Sequence, residues 1–193
     1  MKTPLLIFGL LLNLIILSNA TATTVLPLSL EQLSTRADLI FHAEVLSNKV
    51  KRDAQSGQIA TYTEFKIIDA IKGDTGATHT IKQIGGRDEK SKVTMRVHGV
   101  PTFQIGKTYV VFLPKKSSLG FSSPLGLHQG SFSVLTIENE QIVTNGRNLL
   151  RPTPASAKTS QSAVQVPLAV KAGNPKQSRL DDFMNTVRAY NAQ

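Results

Sequence analysis

Cysteine and tryptophan are both absent from the 193 residues. The first absence excludes a disulfide scaffold, a thiolate metal site and a cysteine nucleophile. The second removes the largest flat aromatic face a protein can offer a ligand. Acidic residues are scarce: 13 Asp and Glu stand against 22 Lys and Arg, a formal net charge of +9, so an anionic partner is favoured electrostatically. Beyond the first 20 residues no apolar run approaches the roughly 20 residues needed to span a bilayer. What is present is 40% hydrophobic residues in a length that suits one sizeable core and is too short for two ordinary domains.

The start has the grammar of a secretory leader over residues 1–20. Lys2 supplies the positive end, Leu5 to Leu17 the apolar stretch, and Ser18-Asn19-Ala20 the small residues of a cleavage site. Cutting after Ala22 satisfies the same rule. Export to the periplasm or the medium is therefore expected, and the lack of disulfides does not oppose it, because oxidising compartments permit them without requiring them.

Residues 21–146 read as a β-rich body. Ser29-Leu30-Glu31-Gln32 has the spacing of a capping box, and Leu30, Leu33 and Ala37 share a helical face, which predicts a short helix over 29–37. Leu39, Phe41, Ala43 and Val45 alternate with His42 and Glu44, the period of a half-buried strand with His42 on its polar face. A loop over 49–58 leads to a second strand from Ile59 to Ile71, with Thr61, Thr63, Phe65 and Ile67 on one face. Further strands are expected at 78–84, 93–97 and 107–113, and weaker ones at 125–127, 131–137 and 141–143, with Asn145-Gly146 as a turn. The run Tyr109 to Leu113 is apolar throughout, as a central strand is, and Pro114 ends it.

Composition changes after Arg147. Residues 147–179 carry Arg147, Arg151, Lys158, Lys171, Lys176 and Arg179 with no acidic residue, and are rich in Pro, Ser, Thr and Ala, so 147–178 is expected to be a flexible basic linker. Helical spacing returns over 179–193. Ser178 is placed to cap, Asp181 and Asp182 suit the positive helix start, and Leu180, Phe183, Met184 and Val187 make an apolar stripe that should dock on the body.

Ala37-Asp38-Leu39-Ile40-Phe41, the strand ending in Ile71-Lys72-Gly73-Asp74, the pair Gly85-Gly86, and Phe103-x-x-Gly106-Lys107-x-Tyr109 follow one another in an order that resembles a group of uncharacterised exported bacterial proteins. More distantly it resembles the netrin-like module of tissue inhibitors of metalloproteinases. The resemblance covers residues 28–135 and implies a mainly β fold: a small closed or partly open Greek-key barrel of the OB type, five-stranded, with a short N-terminal helix and a C-terminal helix. In those inhibitors an amino-terminal cysteine chelates the protease zinc. This chain has no cysteine, so that mechanism does not carry over.

Catalytic patterns are few. Pro124 stands where a nucleophile elbow over Gly120 to Pro124 would need glycine. His42, His79, His98 and His128 sit in separate segments without ligand spacing, so no metal or other cofactor is expected. Asp88-Glu89 and Glu138-x-Glu140 read as solvated turns rather than a catalytic carboxylate pair. Nucleic acid is not expected, since Phe41, Phe65, Tyr109 and Phe112 belong to apolar faces and leave Tyr62 as the main exposed stacking candidate.

The segment 85–103 concentrates what remains. Arg87, Lys90, Lys92, Arg96 and His98 bracket a strand and a Gly-Val-Pro turn, and Arg96 and His98 at spacing two share a face able to receive an acidic group. A loop with solvated charges would use the same residues. The expectation is a non-enzymatic exported binding or inhibitor-like module with Arg87, Arg96 and His98 at its site. Its partner is expected to be another exported protein or an anionic envelope polymer. Two alternatives stay open: an accessory protein of a secreted enzyme or envelope assembly held near anionic polymers by the basic stretch, and an unrecognised hydrolase using His98 or His128.

Overall fold

The computed structural model describes residues 26–149, 168–170 and 174–192. The expected leader at 1–20 and the middle of the basic stretch, residues 150–167, lie outside them. The fold is mainly β. Helix α1 (Leu30–Arg36) precedes β1 (Leu39–Arg52), β2 (Ile59–Lys72), β3 (Thr78–Ile84), a small hairpin of β4 (Gly86–Arg87) and β5 (Thr94–Met95), then β6 (Thr108–Leu113), β7 (Ser131–Ile137), β8 (Glu140–Thr144), β9 (Ser178–Arg179) and α2 (Leu180–Asn191). Seven strands form one antiparallel sheet in the order β3-β2-β1-β6-β7-β8-β9, and β4–β5 stand apart. Three consecutive strands followed by β6 returning beside β1 make a Greek key. The edge strands β3 and β9 do not pair with each other, so the barrel is partly open, and its sheet is wider than the five strands implied by the resemblance. No described helix is long and apolar enough to cross a membrane.

The start of α1 forms as its residues dictate: Ser29 Oγ accepts from the Gln32 amide and Gln32 Oε1 from the Ser29 amide, each at 3.1 Å. Two free amides are thereby satisfied reciprocally. At the other end Lys72 Nζ donates to Ser34 O and Thr35 O, covering carbonyls the helix leaves open. Next to it, a Cβ on Gly73 (φ +77°) would lie 2.7 Å from Asp38 O. The Ala-Asp and Lys-Gly signals thus meet as one structural joint.

β1 and β2 are each 14 residues long, and their register skips Leu46, Ile68 and Ile71. Such bulges bend the pair and change which face follows. They also account for two exposed hydrophobics, Leu46 and Ile68. The sheet is buried on both sides. One face carries Phe41, Ala43, Val45, Phe65, Ile81, Tyr109 and Val111 with Phe103. The opposite face carries Ile40, Val110, Phe112, Phe132 and Val143 beneath Leu33 of α1 and Leu180, Phe183, Met184 and Val187 of α2. The α2 stripe therefore docks on the body. Phe183 sits 4.8 Å from Phe132 and 6.3 Å from Phe112 between ring centroids.

Several local expectations change. The first strand runs on to Arg52, so the loop shrinks to 53–58. Residues 125–127 are not a strand but lead into a 3₁₀ turn, Leu127–Gly130. Ser178 does not cap α2: it lies in β9, its hydroxyl donates to Ala169 O at 2.6 Å, and the helix starts from Arg179 without a side-chain cap. Most of the expected linker at 147–178 lies outside the described residues; of those described, Leu149 N–H donates to Pro175 O at 2.8 Å, and Leu149 and Leu168 pack on the helix-covered core.

His42 is not on a polar face. It pairs across the strands with Asp69 and Val110, is 5% exposed, and its Nε2 has no partner among the described residues. Burial holds its pKa below the ordinary 6.5, partly offset by Asp69, and Arg188 of α2 pairs with that Asp69. Burial, with Lys116 nearby, lowers His79 likewise. An unfolded chain takes up both protons near pH 6.5 while the folded one resists, so acidification through and below that pH favours unfolding. Urea denaturation is expected to show lower stability at pH 5.5 than at pH 7.5, with a shallower dependence in His42→Leu. Equal stability at both pH values would contradict this account.

Candidate functional site

The apolar face of β1–β3 does not end with its core. Along β2 the face runs from Phe65 to Thr63 and Thr61, along β3 from Ile81 to Gln83, and along β1 from Val45 to Asn48 and Val50. The odd step from Val45 to Asn48 needs the bulge at Leu46; without it Ser47 and Lys49 would occupy that face. A hydrophobic core thus passes into an amide-and-hydroxyl floor.

The polar side chains of this floor are committed to the protein's own groups. Thr63 Oγ1 donates to Asn48 Oδ1 at 2.7 Å, Asn48 Nδ2 to Phe103 O at 2.7 Å, Thr61 Oγ1 to Gly85 O at 2.7 Å and Gln83 Nε2 to Pro101 O at 3.3 Å. Thr63 and Gln83 are buried, as satisfied polar groups can be. These bonds carry the floor up to the wall formed by the β4–β5 hairpin and residues 96–103. Gly86, at φ +125°, lets β4 lie against the sheet: a Cβ there would sit 2.5 Å from Thr61 Oγ1 and 2.7 Å from Val50 Cγ1. Gly99, at φ +81°, accepts from the His128 amide at 3.1 Å and ties the wall to the 3₁₀ turn.

Between floor and wall is a cleft of about 790 Å³. Arg87, Arg96 and His98 all line it and all are exposed. They arrive by a route the sequence does not suggest. Strand 93–97 shortens to Thr94–Met95, so Arg96 and His98 belong to the loop beyond the hairpin rather than to a strand face. Arg87 Nε pairs with Glu89 Oε1 at 2.9 Å, and Lys92 Nζ reaches the same carboxylate at 3.1 Å. Neither the Arg96 nor the His98 side chain has a partner among the described residues. No carboxylate is among the cleft-lining residues; Val50, Ile84, Met95, Val97 and Val100 supply apolar surface between the polar positions.

Other candidates lie elsewhere. Asp88 is not solvated but 8% exposed, accepting from Ser91 Oγ at 2.7 Å and the Lys90 amide at 3.2 Å, and it braces the hairpin turn. The Ser91 hydrogen bond leads in holding its carboxyl below the ordinary range. Tyr62 is no free stacking platform. Its hydroxyl donates to Asp53 Oδ1 at 2.6 Å, Lys51 Nζ sits 4.6 Å from its ring centroid, and its pKa is pushed up to about 12, chiefly by the Asp53 bond. Asp53 also accepts from Ser56 and from Lys82 Nζ at 2.9 Å, which locks the β1–β2 turn to β3; these bonds keep its carboxyl well below the usual carboxylate range. His42 lies beneath the helices, His79 tilts against Phe41, and among the described residues no three His, Asp or Glu side chains converge as a metal site would require.

Asn48 and Gln83 carry no local signal of a site. The alternation in β2 puts Thr61 and Thr63 beside Phe65, but only strand pairing reveals what faces them. Compared with known proteins, the chain matches no family model and no curated protein.

Proposed function

We propose that this chain is an exported, non-enzymatic binding module of inhibitor-like character, which holds an anionic group of a partner in the cleft above β1–β3. The observation that carries the reading is a roomy cleft bordered by Arg87, Arg96 and His98 with no carboxylate in its lining. Such a lining attracts negative charge without an internal counter-ion to displace at Arg96 or His98. Absence of turnover is inferred from the hydroxyls there: Thr61 and Thr63 donate to carbonyl oxygens rather than to a base, and Thr94 and Thr102, which also line the cleft, have no base bonded to their hydroxyls among the described residues, which leaves all four unactivated as nucleophiles. Export rests on the leader-like residues 1–20.

A second reading draws on the uncompensated positive charge of 147–179: an accessory protein of a secreted enzyme or envelope assembly, retained on anionic polymers. Affinity capture separates the two. If the cleft is the site, substituting Arg96→Gln together with His98→Gln lowers retention of the captured partner at least tenfold, about 1.4 kcal/mol. Retention unchanged by that pair but abolished by raised salt favours the accessory reading.

A further inference from the structure

Building on the proposed anion-binding role of this cleft, we infer that its occupant is an extended acidic peptide segment of a partner protein. That segment presents a carboxylate to Arg96 and His98 and an apolar side chain to Val50, Met95 and Val97. Three features separate this ligand from other anions.

The first is the division of the lining. Val97 is 38% exposed, and neighbouring Val93 is 47% exposed. Val97 and Met95 line the cleft together with Val50 from the floor. A ligand that is only charged would leave this apolar surface in water. One with an apolar side chain beside its carboxylate removes it from water, at roughly 25 cal/mol per Å².

The second is what the cleft does not offer. A glycan is commonly held by an exposed flat aromatic face together with free polar donors along its ring hydroxyls. The chain has no tryptophan, and the aromatic in the lining, Phe103, is 5% exposed and packed edge-on against Phe65 and Tyr109, each at 5.0 Å. The amide and hydroxyl donors named above already serve the protein's own oxygens. A phosphate group is often cradled by successive free backbone amides at a glycine-rich turn, and Gly85-Gly86 forms no such cradle, since the Gly85 amide donates to Ile59 O at 2.8 Å and Gly86 is paired with Met95 in the hairpin.

The third is the backbone. Hairpin pairing ends at Gly86 and Met95, so the chain from Arg96 to His98 continues past the last rung. Among the described residues the amides of Arg96 and His98 donate to no backbone acceptor. An extended peptide supplies main-chain carbonyls to such amides while its side chains alternate between the two kinds of surface.

Isothermal titration of the full chain with synthetic hexapeptides is the test. One set carries a single Glu and a single Leu or Ile, a second has Gln in place of Glu, a third Ser in place of Leu, and an anionic uronate hexasaccharide and inorganic phosphate serve as comparison probes. The expected result is saturable binding of members of the first set, weakened at least tenfold by either replacement. Arg96→Gln should abolish the difference between the Glu and Gln peptides, and Val97→Ser the difference between the Leu and Ser peptides. Both side chains are exposed, and unchanged thermal melting would show that these variants fold.

Binding of the hexasaccharide or phosphate in an Arg96-dependent way, without binding of the acidic peptides, overturns the peptide assignment and leaves the anion-binding reading intact. Peptide binding insensitive to both Arg96→Gln and His98→Gln overturns the two together. If no probe binds, the peptide assignment fails.

Discussion

Phe183→Ala is expected to cost about 3–5 kcal/mol of stability, the range for removing a large aromatic side chain from a packed core. Phe183 is fully buried, and its ring completes a three-ring cluster with Phe112 on β6 and Phe132 on β7. Truncation leaves a cavity between helix and sheet and forfeits two aromatic contacts. The neighbouring ion pair of Arg188 with Asp69 is partly exposed, so Arg188→Gln should cost less than about 1 kcal/mol. Urea denaturation of both variants measures the contrast. A loss below about 1 kcal/mol for Phe183→Ala would mean that α2 is an appendage and that the sheet folds without it.

Gly86→Ala is expected to cost about 2–6 kcal/mol and to weaken ligand capture. Two effects add. The residue sits at φ +125°, a region essentially closed to L side chains, which costs of order 1–3 kcal/mol. Its new methyl would also meet Thr61 Oγ1 and Val50 Cγ1, both on sheet strands with little room to give, and overpacking costs typically 1–3 kcal/mol. The strain is relieved only by lifting β4 off β1 and β2, which displaces Arg87 and the wall of the cleft. Gly57→Ala provides the comparison: its φ of +70° is also positive, but nothing lies within 4 Å of the added atom. That variant should lose about 1 kcal/mol and keep its binding. Equal costs for the two would show that backbone conformation alone, and not close approach to the sheet, accounts for Gly86.

Several parts of the molecule are local enough to be read directly. The capping box at Ser29 and Gln32 is complete within four residues, and its hydrogen bonds form as the spacing implies. The strand at 78–84 has its expected limits, and the continuous apolar run of β6 is buried on both sides of the sheet. The stripe on α2 also docks as its periodicity requires. Arg87, Arg96 and His98 stand out in the chain because cationic residues around a Gly-Val-Pro turn, with few acids nearby, are a compositional signal.

The misreadings share one cause. His42 looks polar because alternation treats one face of β1 as solvent, yet α1 and α2 cover that face from positions distant in the chain. Ser178 has the chemistry of a cap, but Ala169 O is nearby and β8 takes its backbone into a strand pair. Asp88 resembles a solvated turn residue until the hairpin folds over it.

Short-range patterns therefore established the mainly β class, the two helices, most strand limits and the cationic segment, since periodicity and capping depend on residues within a few positions of one another. The floor of the cleft came from elsewhere. Asn48 and Val50 reach it through an unpaired Leu46, Thr61 and Thr63 through pairing with β1, and Gln83 through pairing with β3. A bulge shifts every following side chain to the opposite face, and long-range pairing sets where it falls. A pocket assembled from four separate stretches of chain is for that reason a product of packing rather than of any one of them.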